Sequence, residues 1–314
     1  MDLRQLEYFV RVAELGSFTR AAIELGVAQP ALSRQVRQLE VELRQNLLVR
    51  NGRGAVPTEA GQLLLEHGRG ILHQVAVARE ELGATRGALA GRVSIGLPPS
   101  LSRLITVPLT QAFRAQLPGA LLTLTEGFSL QMYEALRVGK IDMAVLYNPE
   151  RSSELEAQLL HEEELVLISH SAASSAVTRA ARKAAAPDAQ LPDVRLRDVA
   201  SLPLILPSRP NAFRLLVESQ LRTLGHAPQI AMEVDGLNAI LNLVQDGLGH
   251  AVLPRYTLSN FDSPHPFSVR RIRSPRILSQ LMLARSSRRP ATETQHHAAA
   301  LVRQVVAEQL RPWT

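Results

Sequence analysis

The 314-residue sequence contains no cysteine, and only 4% of its residues are aromatic. The absence of cysteine excludes disulfides, thiolate zinc sites, iron–sulfur clusters and cysteine nucleophiles. So few aromatic side chains argue against the stacking surfaces that hold single-stranded nucleic acid. No apolar run approaches the roughly 20 residues of a membrane-spanning helix, and the first residues are amphipathic rather than signal-like. We therefore expect a soluble, cytoplasmic protein with no membrane contact.

The sequence also lacks the short motifs of the common enzyme classes. It has no Gly-x-Ser-x-Gly nucleophile elbow, no phosphate-binding loop and no Gly-x-Gly-x-x-Gly after a strand. Its nine histidines do not have metal-ligand spacing, because His161 has no second histidine four residues later and the adjacent His296 and His297 point apart on a helix. We therefore expect no catalytic residues, no metal and no bound cofactor.

The positive charge of the chain is concentrated near its C-terminal end. The formal net charge is +6, from 35 basic and 29 acidic residues. Residues 1–91 contribute +1, residues 92–269 contribute −2, and residues 270–314, with nine arginines and two acids, contribute +7. The total charge therefore does not identify a nucleic-acid-binding surface; only the placement of individual arginines can do so. The role of the C-terminal arginines is left open.

The first 58 residues have the pattern of three short helices followed by a β-hairpin. Gly16 ends the first helix, and Ser17 is placed to cap the second. Pro30 opens the third helix, where the first turn tolerates a proline. Two short helices joined by a glycine-containing turn form a helix-turn-helix. Residues 47–57 then predict a strand, a turn and a second strand, which together make a wing.

From residue 59 to about 90 the pattern becomes a single long helix. Its apolar positions step by four and three residues, which is the spacing of a seam that packs against a second helix. The seam consists of Leu64, Gly68, Ile71, Val75, Ala78 and Leu82. We expect these positions to dimerise the chain; the alternative is an ordinary amphipathic helix packed on its own domain.

Residues 91–314 alternate strands and helices, which predicts a parallel α/β sheet divided into two lobes. Chain order assigns 91–163 and 268–314 to lobe I and 164–267 to lobe II. Residues 170–193 are rich in alanine and break the rhythm, so we expect an exposed insertion there. The fold class expected for the whole chain is α/β, with an N-terminal head rich in α-helix.

Several segments together resemble the LysR-type transcriptional regulators. The N-terminal signature is carried by residues 17–22, 25–27, 29–40, 47–50 and 57–61, and weaker motifs by residues 139–145 and 247–254. The resemblance covers essentially the whole chain, and its N-terminal part is specific because many constrained positions agree in order. Residues 205–211 are similar to the nitrogen-assimilation-control branch of the family.

The resemblance implies a winged helix-turn-helix (1–58), a linker and dimerisation helix (59–90) and a two-lobed effector-binding domain (91–314) like the periplasmic binding proteins. It also implies a dimer of dimers on double-stranded promoter DNA. In that assembly a small-molecule effector between the lobes changes DNA bending and contact with RNA polymerase. Two departures stand out: Ala28 replaces a serine found in many members, which removes a helix cap, and the insertion at 170–193 is longer than usual.

The third helix carries the candidate DNA-binding residues, because its apolar positions face inward and leave a polar face. A glutamine can pair with adenine and an arginine with guanine in the major groove, and arginines on a wing suit phosphates or a narrow minor groove. The candidates are Gln29, Pro30, Ser33, Arg34 and Arg37 on the helix, with Arg50 and Arg53 on the wing. For Arg34 and Arg37 the alternative is a solvated helix face.

Three segments after predicted strands are candidates for an effector site. In open α/β sheets, ligands bind beyond the carboxyl ends of strands, at helix N-termini that favour anions. The candidate residues are Ser100, Leu101, Ser102, Ser129, Pro207, Ser208 and Arg209. They predict a small, anionic effector; the alternative is that the serines only cap their helices.

Two other functions remain open at this stage. The chain could be an effector-independent DNA-binding regulator whose lobes serve only oligomerisation, or, more remotely, a DNA-binding head fused to an enzyme. Screening the lobes against small carboxylates separates these cases, because a sensor is stabilised, an enzyme turns the compound over and a scaffold does neither.

Overall fold

The computed structural model describes residues 1–51, 54–84, 89–171, 192–259, 261 and 267–313. Arg53 and most of the predicted insertion at 170–193 lie outside these ranges. The described helices are α1 (Leu3–Leu15), α2 (Phe18–Glu24), α3 (Gln29–Leu43), α4 (Glu59–Ala84), α5 (Pro99–Gln116), α6 (Ser129–Arg137), α7 (Leu196–Val199), α8 (Ala212–Thr223), α9 (Leu237–Gln245) and α10 (Glu293–Leu310).

The described strands alternate with these helices along the chain. They are β1 (Leu48–Asn51), β2 (Gly54–Pro57), β3 (Ala90–Leu97), β4 (Gly119–Glu126), β5 (Met143–Tyr147), β6 (Leu155–His170), β7 (Val194–Arg195), β8 (Leu204–Leu206), β9 (Ile230–Glu233), β10 (Ala251–Pro254), β11 (Phe267–Arg273) and β12 (Leu278–Ser286).

Local sequence signals define the helices of the head. Asp2 accepts from the backbone N–H of Gln5, whose side chain accepts from the backbone N–H of Asp2, so α1 begins with a capping box. Gly16 ends α1 in the left-handed conformation at φ 61°, and Ser17 accepts from the N–H of Arg20 to cap α2. The buried faces of α1, α2 and α3 enclose a small core of Phe9, Val12, Ala21, Leu32, Val36 and Leu39.

The wing is a hairpin that is tied to the end of α3. Its strands pair antiparallel, with Leu48 opposite Pro57. The Glu40 side chain accepts from the backbone N–H groups of Leu47 at 2.9 Å and Leu48 at 3.2 Å. A carboxylate that satisfies two backbone donors positions the hairpin relative to α3.

The linker helix α4 packs closely on its own head at its N-terminal end. A Cβ on Gly68 would lie 2.9 Å from side-chain atoms of Leu6 and Val10, and the buried Arg69 forms an ion pair with Glu14 at 2.9 Å. Leu64 is half-buried against the core of the head. Gly68 therefore packs on its own head, and Leu64 is partly covered by it. The contact of these two positions with a second chain stays a prediction.

The later positions of the predicted seam are more accessible. Ile71 is 38% exposed and Leu82 is 73% exposed, while Val75 is half-buried and Ala78 is exposed. Apolar side chains left open to this extent suit a second helix. Their role in dimerisation stays a prediction.

The C-terminal part contains a mixed sheet rather than the parallel sheet that chain order predicted. The strands run in the order β4-β3-β5-β12-β6-β11-β7, with β10 paired to β6. β3 is parallel to β4 and β5, whereas β12 is antiparallel to both β5 and β6. The antiparallel strands connect the lobes, a role that alternating strands and helices along the sequence do not reveal.

The two lobes share the long strand β6. Residues 155–164 of β6 pair with β12 in lobe I, and residues 165–170 pair with β10 and β11 in lobe II. β11 begins where the sequence predicted the return to lobe I at 268, but it is hydrogen-bonded to β6 and β7 of lobe II. The chain therefore re-enters lobe I only with β12.

None of the helices in the described ranges has the length and apolar character needed to cross a membrane. Among the same residues, no group of histidine and carboxylate side chains could hold a metal ion.

Candidate nucleic-acid interface and interlobe cleft

Helix α3 separates its apolar and polar residues onto two faces. Leu32, Val36 and Leu39 are buried in the core of the head. Of the predicted DNA-binding residues, Pro30, Arg34 and Arg37 are exposed, and Gln29 and Ser33 are half-buried. The helix therefore presents these five residues together, although their contact with DNA stays a prediction.

The two arginines of this face differ in their surroundings. Arg37 lies 3.7 Å from Glu40, one helical turn away, and its side chain is 68% exposed. Arg34 forms no hydrogen bond or ion pair within the part of the chain that the structure describes. An exposed guanidinium with no carboxylate to neutralise it remains fully available to a base edge or a phosphate.

The N-terminus of α3 has no side-chain cap. Ala28 occupies the N-cap position, and Pro30 is in the first turn. The remaining backbone N–H groups of this turn therefore lack a local side-chain acceptor, an arrangement that favours a phosphate oxygen.

The predicted wing contacts are less completely described. Arg50 lies on β1 with its backbone opposite Ala55, and Arg53 lies outside the described residues. Both remain predictions for phosphate or minor-groove contact.

A cleft lies between the two lobes, where four of the described helices begin. It is lined by Pro98, Pro99, Ser100, Phe128, Ser129, Tyr147, Pro207, Asn211, Ala212, Phe213, Gly236, Leu237, Ile240 and Leu253. These residues belong to the first turns of α5, α6, α8 and α9 and to the adjoining strand ends. No lysine or arginine is among them.

Three of the four helices have no side-chain cap. Pro98, Phe128 and Gly236 occupy the N-cap positions of α5, α6 and α9, and none of them caps its helix through a side chain. Only α8 is capped, by Asn211, which accepts from Phe213 and Arg214. Uncapped N–H groups and helix dipoles that converge on a cleft favour a negatively charged group there.

Of the residues predicted for an effector site, Ser100, Ser129 and Pro207 line the cleft, and their contact with an effector stays a prediction. Leu101 and Ser102, which were also predicted, are not among the residues that line the cleft. Leu101 is fully buried in the core, and the hydroxyl of Ser102 is 3.1 Å from that of Thr106 on the same helix. The direction in which each side chain leaves the first turn of α5 explains the difference.

Ser208 and Arg209 also do not line the cleft. The backbone N–H of Ser208 donates to Asp235 at 2.9 Å, and Arg209 forms an ion pair with Glu218 at 2.6 Å. In this conformation the Glu218 carboxylate occupies the Arg209 guanidinium, and the predicted contact of Arg209 with an effector carboxylate stays a prediction.

Three hydroxyl groups join the lobes at one wall of the cleft. Ser100 Oγ is 2.9 Å from Tyr147 Oη, and Tyr256 Oη donates to Ser100 Oγ at 3.4 Å. The two tyrosine hydroxyls are also hydrogen-bonded to each other. Burial raises the pKa of both tyrosines well above the ordinary value, so both hydroxyls keep their protons.

Sequence reasoning missed both tyrosines. Tyr147 is the last residue of the buried strand β5. Because ligands bind beyond the carboxyl ends of strands, the reasoning that identified the serines could also have identified Tyr147. Tyr256 lies in the turn after β10 and is 109 residues from Tyr147, and only the packing of the lobes brings them together. Tyr147 also packs on Phe213, with ring centres 4.4 Å apart.

A buried arginine supports the loop on the opposite wall. Arg214 donates to Glu218 at 2.9 Å, to Glu233 at 3.0 Å and to the carbonyl of Pro207 at 3.0 Å. Its side chain is only 6% exposed. The network holds the Pro207 segment against α8, and so shapes the lining of the cleft.

Comparison with known proteins matches two families to separate parts of the chain. Residues 3–62 match the bacterial regulatory helix-turn-helix protein of the lysR family, and residues 86–309 match the LysR substrate binding domain. The nitrogen assimilation regulatory protein nac of Klebsiella aerogenes is 35% identical over 289 residues, which cover 92% of this chain and 90% of that protein.

Solved structures agree with this assignment. A full-length OxyR from Pseudomonas aeruginosa superposes with a TM-score of 0.76 at 23% identity, covering 100% of this chain and 98% of that one. Full-length CbnR in complex with its target DNA superposes with a TM-score of 0.64 at 25% identity, covering 97% and 100%. With both halves matched in this order over nearly its whole length, the chain belongs to the LysR family of DNA-binding transcriptional regulators and carries that family's effector-binding domain.

Proposed function

We propose that this regulator senses a small anionic molecule in the interlobe cleft, and that binding there changes how its subunits engage promoter DNA. The convergence of three uncapped helix N-termini on one cleft carries the proposal. Free backbone N–H groups at such a point favour a carboxylate or a similar anion.

The lining specifies more of the effector than its charge. Phe128, Phe213, Leu237 and Ile240 supply apolar surface, and Ser100 and Ser129 lie among them. The Ser129 hydroxyl accepts from the backbone N–H of Tyr147 at 3.0 Å, so it can offer a ligand its own proton. Because no basic side chain lines the cleft, backbone N–H groups would have to neutralise the anion. A compact apolar or aromatic body with one carboxylate fits this combination.

The effector acts by preferring one arrangement of the lobes. Contacts across the lobes, such as the hydrogen bond from Arg103 on α5 to Asn238 on α9 at 2.6 Å, are available to be made or broken. A ligand can shift such an equilibrium only by its difference in affinity for the two arrangements. The shift would reach the DNA through α4, which contacts lobe I where Glu66 lies 3.8 Å from Arg137.

On DNA, we propose that α3 lies in the major groove with Gln29, Pro30, Ser33, Arg34 and Arg37 towards the bases, flanked by the wing arginines Arg50 and Arg53. Two copies joined through Ile71, Val75, Ala78 and Leu82 would present two such helices at a fixed spacing. A dimer of dimers would then bend the promoter and alter its contact with RNA polymerase.

A ligand screen with the full-length protein tests the effector proposal. We expect a subset of small aromatic and aliphatic carboxylates to raise the melting temperature in a concentration-dependent way. The primary amides of the same acids, which match them in shape and lack the charge, should not. If no carboxylate raises the melting temperature, an effector-independent regulator is favoured. Equal stabilisation by the acids and their amides would contradict the assignment of an anionic effector.

A further inference from the structure

The three hydroxyl groups at one wall of the cleft form a closed ring of hydrogen bonds. Tyr256 Oη donates to Ser100 Oγ at 3.4 Å, Ser100 Oγ is 2.9 Å from Tyr147 Oη, and the two tyrosine hydroxyls are hydrogen-bonded to each other. All three residues are buried. Within the described residues, none of these hydroxyls has a hydrogen-bond partner outside the ring.

The number of protons in the ring decides what it can offer to a ligand. A neutral hydroxyl carries one proton and two lone pairs, and burial raises the pKa of both tyrosines, so that each keeps its proton. Three protons therefore serve three hydrogen bonds. Since Tyr256 donates to Ser100, Ser100 donates to Tyr147 and Tyr147 donates to Tyr256. Each oxygen keeps one unused lone pair, and no proton is left over.

Two members of the ring line the cleft next to two prolines. We call the surface formed by Pro98, Pro99, Ser100 and Tyr147 the acceptor wall. The prolines have no N–H to donate. The two backbone N–H groups that follow Ser100 in α5 donate to the carbonyl of Pro98 at 3.0 and 2.8 Å. This wall therefore presents a ligand mainly with lone pairs.

The start of α6 has the opposite character. Phe128 and Ser129 line the cleft, and Ser129 Oγ accepts from the backbone N–H of Tyr147 at 3.0 Å, which leaves the Ser129 proton for a ligand. The backbone N–H groups of residues 129–131 are in the first turn, where a helix provides them with no acceptor. A carboxylate therefore finds its donors at α6 and not at the acceptor wall.

We propose that the effector is a hydroxy carboxylate, whose carboxylate binds at the start of α6 and whose hydroxyl donates a hydrogen bond to the acceptor wall. An acid without the hydroxyl gains no hydrogen bond at this wall. A carboxylate that accepted from Ser100 instead would break the ring and lose a buried hydrogen bond. A hydroxyl is favoured over an ammonium, because no carboxylate side chain is among the described residues that line the cleft. This inference rests on the proposed function of the cleft and narrows the class of its effector.

The test measures the binding of matched acids to the full-length protein by titration calorimetry at neutral pH. The probes are benzoate, its three hydroxy isomers and the three corresponding methoxy isomers, with butanoate and its hydroxy and methoxy derivatives as an aliphatic set. Methylation keeps the oxygen and removes its proton. We expect at least one hydroxy acid to bind about three- to tenfold more tightly than both its methyl ether and the unsubstituted acid.

Tyr256→Phe tests whether the ring causes this preference. Tyr256 is not among the residues that line the cleft, so the variant leaves the lining unchanged. It leaves Ser100 and Tyr147 with two protons for one hydrogen bond, and the spare proton can bind an ether or a carboxylate. The preference for the hydroxy acid should therefore disappear. Tyr147→Phe, which frees the Ser100 proton, should have the same effect.

Tyr133→Phe is the matched control, because the Tyr133 hydroxyl bonds to Ser152 at 3.5 Å and not to the ring; its preference should equal that of the wild-type protein. Equal binding of hydroxy acids and their methyl ethers to the wild-type protein would overturn the proposal, whatever the variants do. A preference that persists in both Tyr256→Phe and Tyr147→Phe would also overturn it. If no acid binds, the proposed function of the cleft fails as well, so the two failures are distinguishable.

Discussion

Replacement of Arg214 by methionine should destabilise lobe II through the carboxylate that it leaves behind. Arg214 and Glu218 have side chains that are 6% and 7% exposed and lie 2.9 Å apart. Removing one partner of a buried ion pair typically costs about 3–5 kcal/mol, because the remaining charge stays desolvated. Glu218 would retain its ion pair with Arg209 at 2.6 Å. We therefore expect the lower end of that range, about 3 kcal/mol.

The second half of the prediction is a double-mutant cycle. Glu218→Leu alone leaves Arg214 bonded to Glu233 and to the carbonyl of Pro207, so it should cost only about 1–2 kcal/mol. Arg214→Met combined with Glu218→Leu removes both charges and leaves an apolar pair. This double variant should be more stable than Arg214→Met alone by about 1–2 kcal/mol, which corresponds to a coupling of about 2–4 kcal/mol.

Urea unfolding of the full-length variants, followed by circular dichroism, measures these differences as shifts of the transition midpoint. If the costs of the two single variants simply add in the double variant, the reasoning from an uncompensated buried charge is refuted. The Pro207 carbonyl also loses a donor in Arg214→Met. Affinity for any carboxylate found in the ligand screen should therefore fall, even under conditions in which the variant is folded.

Two further predictions concern the DNA-binding head. Gly61→Ala should destabilise the head by about 1–3 kcal/mol, because the new Cβ would lie 2.0 Å from the carbonyl oxygen of Leu47. Calorimetry should show this loss as a lower melting temperature. Gly70→Ala, whose Cβ meets nothing within 4 Å, is the control and should be neutral or stabilising. Arg34→Ala should abolish operator binding in a gel-shift assay without changing the sedimentation of the oligomer, since Arg34 is exposed on α3. Arg44→Ala, at the opposite end of the same helix, is the control. Normal DNA affinity of the Arg34 variant would show that Arg34 is not part of the interface.

The head could be predicted well because its structure depends on local signals. Ser17 caps α2 and Gly16 ends α1 as the sequence indicated, since caps and turns are interactions among residues a few positions apart. The linker helix was predicted as a helix, but the sequence did not show that its first turns pack against the head of the same chain. The heptad spacing of its apolar residues predicts a packed face, but not that Gly68 on this face packs on Leu6 and Val10 of the same chain.

The cleft was predicted in part. The rule that ligand sites follow the carboxyl ends of strands located Ser100, Ser129 and Pro207, all of which line it. The same rule included Leu101, which is buried in the core, and Arg209, which is held by Glu218. The order of strands along the sequence predicts which segments lie near a site. The direction of each side chain and its local ion pairs decide which residues line that site.

The sequence alone determined the family, the order of the domains, the polar face of α3 and the segments that surround the cleft, because each of these is a pattern among residues close together in the chain. The tertiary structure decided the mixed sheet, the contact of Tyr147 with Tyr256 and the burial of Glu163. Each of these depends on groups that only the packing of the two lobes brings together. A glutamate on a strand carries no sign in the sequence that the finished fold will bury it with no hydrogen-bond partner among the residues that the structure describes.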